Sequence, residues 1–123
     1  TNQRGVGRGL MTLDDLDAVH EKMLTGINEK DGKIDAIFYA TSIENDDPVR
    51  KPNVGMVVKA TKQFPEIDPS RSIMIGNNIS DMEFGRNAGM YTVFLKTTIP
   101  DIKLPHPAID LAFNSLPEFA KAL

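Results

Sequence analysis

Three short stretches carry the residue types that could do chemistry. The first is Arg50-Lys51-Pro52, two cations beside a proline suited to open a helix. A helix N-terminus already carries partial positive charge, so two more cations there are locally unfavourable. They become favourable if an anion docks among the cations and the free N–H groups. A pair of solvated surface cations accounts for the same residues, and both readings stay open. The second stretch is Gly76-Asn77-Asn78-Ile79-Ser80-Asp81, where an apolar run gives way to glycine, amide oxygens and an acid in a first helical turn. Such oxygens could hold a hard cation such as Mg²⁺. An ordinary turn with a dipole-favouring acid is the blander account, and it weighs more when the stretch is taken alone. The third is the opening, Thr1 to Gly9, with a hydroxyl, two amides, Arg4 and Arg8 among three glycines. It could close over a phosphorylated ligand, but it lacks the Gly-Lys-Ser/Thr of a P-loop and the spacing of a dinucleotide fingerprint. A mobile chain end is the alternative.

The elements that must position these stretches follow from periodicity. The glycine-rich opening reads as a loop. Thr12 can cap a helix whose apolar residues Leu13, Leu16, Val19, Met23, Leu24 and Ile27 recur at helical spacing, and Asp31-Gly32 closes it. Ile34 to Ala40 predicts a strand. A polar loop covers Thr41 to Val49. Pro52 then opens a second helix with Val54, Val57, Val58, Thr61 and Phe64 inward, stopped by Pro65. Ser72 to Ile75 predicts a strand, Ser80 and Glu83 a capping box for a third helix, and Gly89 its end. Tyr91 to Leu95 predicts a strand. A loop runs from Pro100 to Pro107, with a short edge strand within Ile109 to Phe113. Ser115 and Glu118 repeat the capping box before a last helix. The alternation predicts an α/β fold, a Rossmann-like parallel sheet with helices on both faces, over residues 1–123 as one domain. Ligands bind beyond the carboxyl ends of such strands, which selects Thr1 to Gly9, Thr41 to Pro52 and Gly76 to Ser80 as the loops to inspect.

Composition excludes several alternatives. With no cysteine, the chain has no thiol nucleophile, disulfide or cysteine-based zinc site. His20 and His106 are the only histidines, and each reads as structural or solvent-facing rather than catalytic. A net charge of −3 argues against nucleic acid or an acidic membrane as the main partner. No apolar run approaches the ~18 residues of a membrane span. No signal peptide is visible, which fits a cytoplasmic protein.

Taken in order, Thr1-Asn2-Gln3, Arg50-Lys51-Pro52, Gly76 to Asp81 and Gly85-Arg86-Asn87-Ala88-Gly89-Met90 resemble the haloacid-dehalogenase superfamily. The branch with D-glycero-D-manno-heptose 1,7-bisphosphate phosphatase and histidinol phosphatase is the closer match. The resemblance runs from Thr1 to about Lys96. It implies that Thr1 holds the transferring phosphoryl group, that Lys51 neutralises it, and that Arg50, Asn2 and Gln3 contact substrate. It also implies Mg²⁺, with Asn77 at a position where the family usually has a metal-binding Asp and Asp81 in support. Such enzymes pass phosphate to an Asp nucleophile, and water then hydrolyses the acyl-phosphate.

Three departures qualify this. The family's Asp-x-Asp-Gly motif is absent from these residues, so the nucleophile and its central strand are expected upstream of Thr1, and the remaining strands are expected to expose apolar edges. Asn77 is a neutral amide and supplies less charge to a metal. Thr41 to Val49 lacks the cysteines of a zinc loop, so no zinc is expected. The resemblance and its departures imply two functions: an Mg²⁺-dependent phosphomonoesterase acting on a small sugar phosphate, and a phosphatase-like module that binds a phosphorylated ligand without hydrolysing it.

Overall fold

The computed structural model describes residues 1–123. Its helices are α1 (Arg4–Gly7), α2 (Leu13–Asn28), α3 (Gly55–Gln63), α4 (Ile79–Asn87) and α5 (Leu116–Lys121), and its strands are β1 (Ile73–Gly76), β2 (Tyr91–Leu95) and β3 (Leu111–Phe113). The strands form a parallel sheet in the order β1-β2-β3, with Met74 beside Thr92 and Val93 beside Leu111. Side chains alternate across it. Met74 and Thr92 meet α4 at Gly85, where an added Cβ would lie 2.7 Å from Met74 and 2.8 Å from Thr92. Phe94, Met82 and Ala108 form the core on that face, with Met74, Ile79 and Ala112 against them. On the other face Phe113 stacks edge-on against Phe119 of α5, ring centroids 5.4 Å apart. The expected α/β arrangement of parallel strands with helices is therefore present.

The predicted strand at residues 34–40 does not form. Only one parallel bridge, Asn2 with Ala40, is made, and it is bounded by Gln3 N–H donating to the Ala40 carbonyl at 2.7 Å and Ala40 N–H donating to the Thr1 carbonyl at 3.0 Å. In that register the partner of Phe38 would fall one residue before Thr1, so residues 34–39 have no ladder within these residues. β1 likewise pairs only with β2. Between its open side and residues 34–38 lies an apolar cavity of about 570 Å³, with Met74 and Phe84 on one wall and Ile34 and Phe38 on the other. Val19 and Met23 of α2 line it too and stay exposed, and of the expected apolar stripe only Leu16 is buried.

Local details differ where polar side chains compete with the pattern. The opening is not all loop: α1 forms one turn, closed by Arg8 N–H donating to the Arg4 carbonyl at 2.9 Å. Pro52 does not open α3. Asn53 donates from Nδ2 to the carbonyls of Asp47 (2.8 Å) and Asn45 (3.2 Å), holding residues 45–53 in turns, and the helix starts at Gly55. Of its expected inner face, Val58 is exposed, and Met56 is the buried residue instead. The cap of α4 falls on Asn78 rather than Ser80. Ser115 caps α5 as expected, but Glu118 accepts from Asn114 N–H (2.9 Å), one residue before the cap. β2 and the stop at Gly89, with φ of 77°, agree with expectation.

Candidate functional site

The site is built around Lys51, which Asn2 and Asp81 hold from two distant parts of the chain. Asn2 grips the Lys51 backbone twice: its Oδ1 accepts from Lys51 N–H at 3.0 Å and its Nδ2 donates to the Lys51 carbonyl at 3.1 Å. The Lys51 ammonium forms a salt bridge with Asp81 Oδ1, both side chains being nearly enclosed. The second Asp81 oxygen accepts from the N–H groups of Asn77 and Asn78, each at 3.1 Å. Asp81 thus joins the end of β1 and the start of α4 to a lysine on a distant loop. Gly76 permits this, since a Cβ there would lie 2.4 Å from the Asp81 carboxylate.

Thr1, Gln3 and Lys51 line the same cavity. Gln3 Nε2 donates to Thr1 Oγ1 at 3.4 Å. The Thr1 amino group donates to the Phe38 carbonyl at 2.7 Å. Arg50 stands apart from this cluster. It is 6% exposed, and its Nη1 donates to the Ser42 carbonyl at 3.0 Å, across its own loop. Because α3 begins only at Gly55, the helix-dipole argument for Arg50 and Lys51 does not apply. Arg50 has no carboxylate within ion-pair distance, and an uncompensated buried cation is costly unless an anion joins it.

Asn2 was expected to touch substrate, but both ends of its amide are spent on the Lys51 backbone. Asn77 lies beyond β1, where its Nδ2 donates to Thr97 Oγ1 (3.2 Å) and Thr98 Oγ1 (2.7 Å), and its Oδ1 accepts from Asn78 Nδ2 (3.1 Å). As held here, these residues do not fit Mg²⁺ by themselves. Asp81 is the one carboxylate of the cluster and both its oxygens are engaged by donors, while Asn77 contributes no charge. No three His, Cys, Asp or Glu side chains converge to hold a metal. Thr97 and Thr98 were missed. They follow the carboxyl end of β2, so the rule that selected the other loops could have found them.

The histidines are structural in setting. His106 Nδ1 accepts from Ala108 N–H at 3.1 Å, and His20 packs against Tyr39 with ring centroids 5.7 Å apart. No helix is long and apolar enough to cross a membrane.

Residues 48–119 match the model of the HAD-hydrolase-like family, which carries the likeness well past Lys96, where it was expected to fade. A D-glycero-α-D-manno-heptose-1,7-bisphosphate 7-phosphatase of Campylobacter jejuni is 39% identical over 95 residues, covering 77% of this chain and 54% of that protein. A β-anomer 7-phosphatase of Salmonella typhi is 32% identical and covers all of this chain and 70% of its own length. The D,D-heptose 1,7-bisphosphate phosphatase of B. bronchiseptica, solved with magnesium and phosphate, superposes with a TM-score of 0.85 at 25% identity, over 99% of this chain and 70% of that one. The chain thus spans about half the length of the Campylobacter relative.

Proposed function

The chain belongs to the HAD-hydrolase-like family, and on that premise we propose that it is the phosphoryl-gripping part of a phosphomonoesterase acting on a small phosphorylated sugar of the heptose bisphosphate type. The observation that carries this reading is Lys51, a nearly enclosed cation held by Asn2 at its backbone and by Asp81 at its ammonium, beside Thr1 at the cavity. In this reading the Thr1 hydroxyl binds a phosphoryl oxygen and Lys51 neutralises the charge that develops as the group transfers. Gln3 and Arg50 contact the rest of the substrate. A carboxylate nucleophile attacks phosphorus as the bond from phosphorus to the sugar oxygen breaks. Water then cleaves the acyl-phosphate, releasing inorganic phosphate and restoring the carboxylate. The reading takes that nucleophile from outside these residues, which contain no Asp-x-Asp-Gly. It also takes the setting to be cytoplasmic.

A second reading, ligand binding without turnover, is favoured by Asn77, whose amide brings no charge to the site. The test is release of inorganic phosphate from heptose 1,7-bisphosphate by the intact protein and by its Lys51→Ala variant. The proposal expects turnover that the variant loses while its circular dichroism is unchanged. Undiminished turnover in the variant removes Lys51 from the mechanism. Substrate binding with no phosphate release in the wild type favours the second reading.

A further inference from the structure

We propose that Asn87, at the far end of α4, is a positioning residue of the phosphoryl site: it holds the backbone beside Lys51 so that the ammonium is presented to the anion. The inference rests on the phosphoryl-binding reading of Lys51 above and adds a residue that acts through that lysine. Lys51-Pro52 lies outside every helix and strand, and both residues are half-buried. Proline lacks an N–H, so the polar backbone groups of the pair are the Lys51 N–H and the two carbonyls. Enclosed backbone groups need partners. Here each finds one in an asparagine side chain. Asn2 takes the N–H and the carbonyl of Lys51 at 3.0 and 3.1 Å, and Asn87 Nδ2 donates to the Pro52 carbonyl at 3.1 Å from 35 positions away. No backbone N–H donates to that carbonyl.

Asn87 stands on the same helix as Asp81, six positions on. That spacing is about 9 Å along a helix axis. α4 therefore fixes the lysine segment at two points: Asp81 holds the ammonium, and Asn87 holds the carbonyl of the next residue. A salt bridge alone lets the backbone drift while the long side chain bends to keep its partner. Two anchors on one helix remove that freedom. The helix is itself well fixed, with Met82, Phe84 and Gly85 buried. Asn87 is not needed to end it, because the N–H groups of Ala88, Gly89 and Met90 already bond carbonyls of its last turn at 3.0, 3.1 and 2.8 Å.

The experiment is calorimetric titration of inorganic phosphate into the wild type, Lys51→Met, Asn87→Ala, Asn87→Gln and Arg86→Ala, with folding checked by circular dichroism. Asn87→Ala is expected to bind about fivefold more weakly than the wild type, the change that loss of one net hydrogen bond produces. Asn87→Gln keeps an amide donor and is expected to bind at least about twofold more tightly than Asn87→Ala. Arg86→Ala is the control: Arg86 precedes Asn87 on α4 but pairs with Asp110, so its loss is expected to leave phosphate affinity unchanged. Asn87→Ala binding as tightly as the wild type overturns the inference and leaves the proposed function standing. Arg86→Ala weakened as much as Asn87→Ala also overturns it, since the effect is then a general loosening of α4. Asn87→Gln no better than Asn87→Ala overturns the role of the amide donor. A wild type that binds no phosphate, or binds it no better than Lys51→Met, overturns the phosphoryl-binding reading together with this one.

Discussion

Replacing Asp81 with alanine removes the partner of a lysine that has little access to water. Asp81 is 6% exposed and the Lys51 side chain 11%, so the ammonium would stay buried with no counter-charge. Breaking one partner of a buried ion pair costs about 3–5 kcal/mol. The N–H groups of Asn77 and Asn78 also lose their acceptor, although the half-exposed turn lets water replace part of it. The expected loss is therefore about 3–5 kcal/mol, a large share of the 5–15 kcal/mol typical of a whole domain. Lys51→Met is expected to cost less, about 1.5–3 kcal/mol, because Asp81 keeps its two backbone donors. The double variant should then be more stable than the sum of the two losses, by about 0.5–3 kcal/mol. Urea unfolding followed by circular dichroism measures all four corners of the cycle. An Asp81→Ala loss below about 1 kcal/mol, or strictly additive variants, would refute the claim that Asp81 serves to hold Lys51.

The remaining predictions concern the framework. Gly85→Ala puts a Cβ 2.7 Å from Met74 and 2.8 Å from fully buried Thr92, and overpacking of that kind should lower stability by about 1–3 kcal/mol in the same urea assay. Burial alone would raise the Asp110 carboxyl, but Arg86 and the N–H and hydroxyl of Thr92 outweigh it and hold the group below its ordinary value. A depressed acid stabilises the fold above its unfolded value of about 3.9 and loses that contribution as pH falls through the folded value. Thermal melts of the wild type and Asp110→Asn should accordingly differ at neutral pH and converge below about pH 4; a constant gap down to acid pH would contradict this. Asn2→Ala loses both contacts to the Lys51 backbone, and should weaken phosphate binding measured by titration while leaving the spectrum of the α4–β2 core unchanged.

How much of this was legible in the sequence depended on whether neighbours in the chain decided the structure. β2 was read at its observed bounds because Tyr91 to Leu95 is a short apolar, β-branched run between a glycine stop and a polar loop. α2 was likewise visible from Thr12 and its apolar spacing. Residues 34–40 have the same local character as β2 and fail as a strand, since a ladder needs a partner and only Asn2 supplies one. Pro52 was a sound start signal overridden by the Asn53 side chain. In the site, Lys51 and Asp81 were each singled out, but their pairing spans 30 positions and was not visible in the pattern of either stretch. Arg50 was singled out too, but the contact of its guanidinium with the Ser42 carbonyl runs across a loop whose shape no periodicity encodes.

The claim at the centre is that Lys51 grips a phosphoryl group. Its most direct test is calorimetric titration of inorganic phosphate into the wild type and into Lys51→Met, with folding of both checked by circular dichroism. Affinity at least about tenfold weaker in the folded variant is the result expected, equivalent to about 1.4 kcal/mol of binding free energy. Equal affinity in the two proteins would contradict the account and move the anion, if it binds at all, away from Lys51.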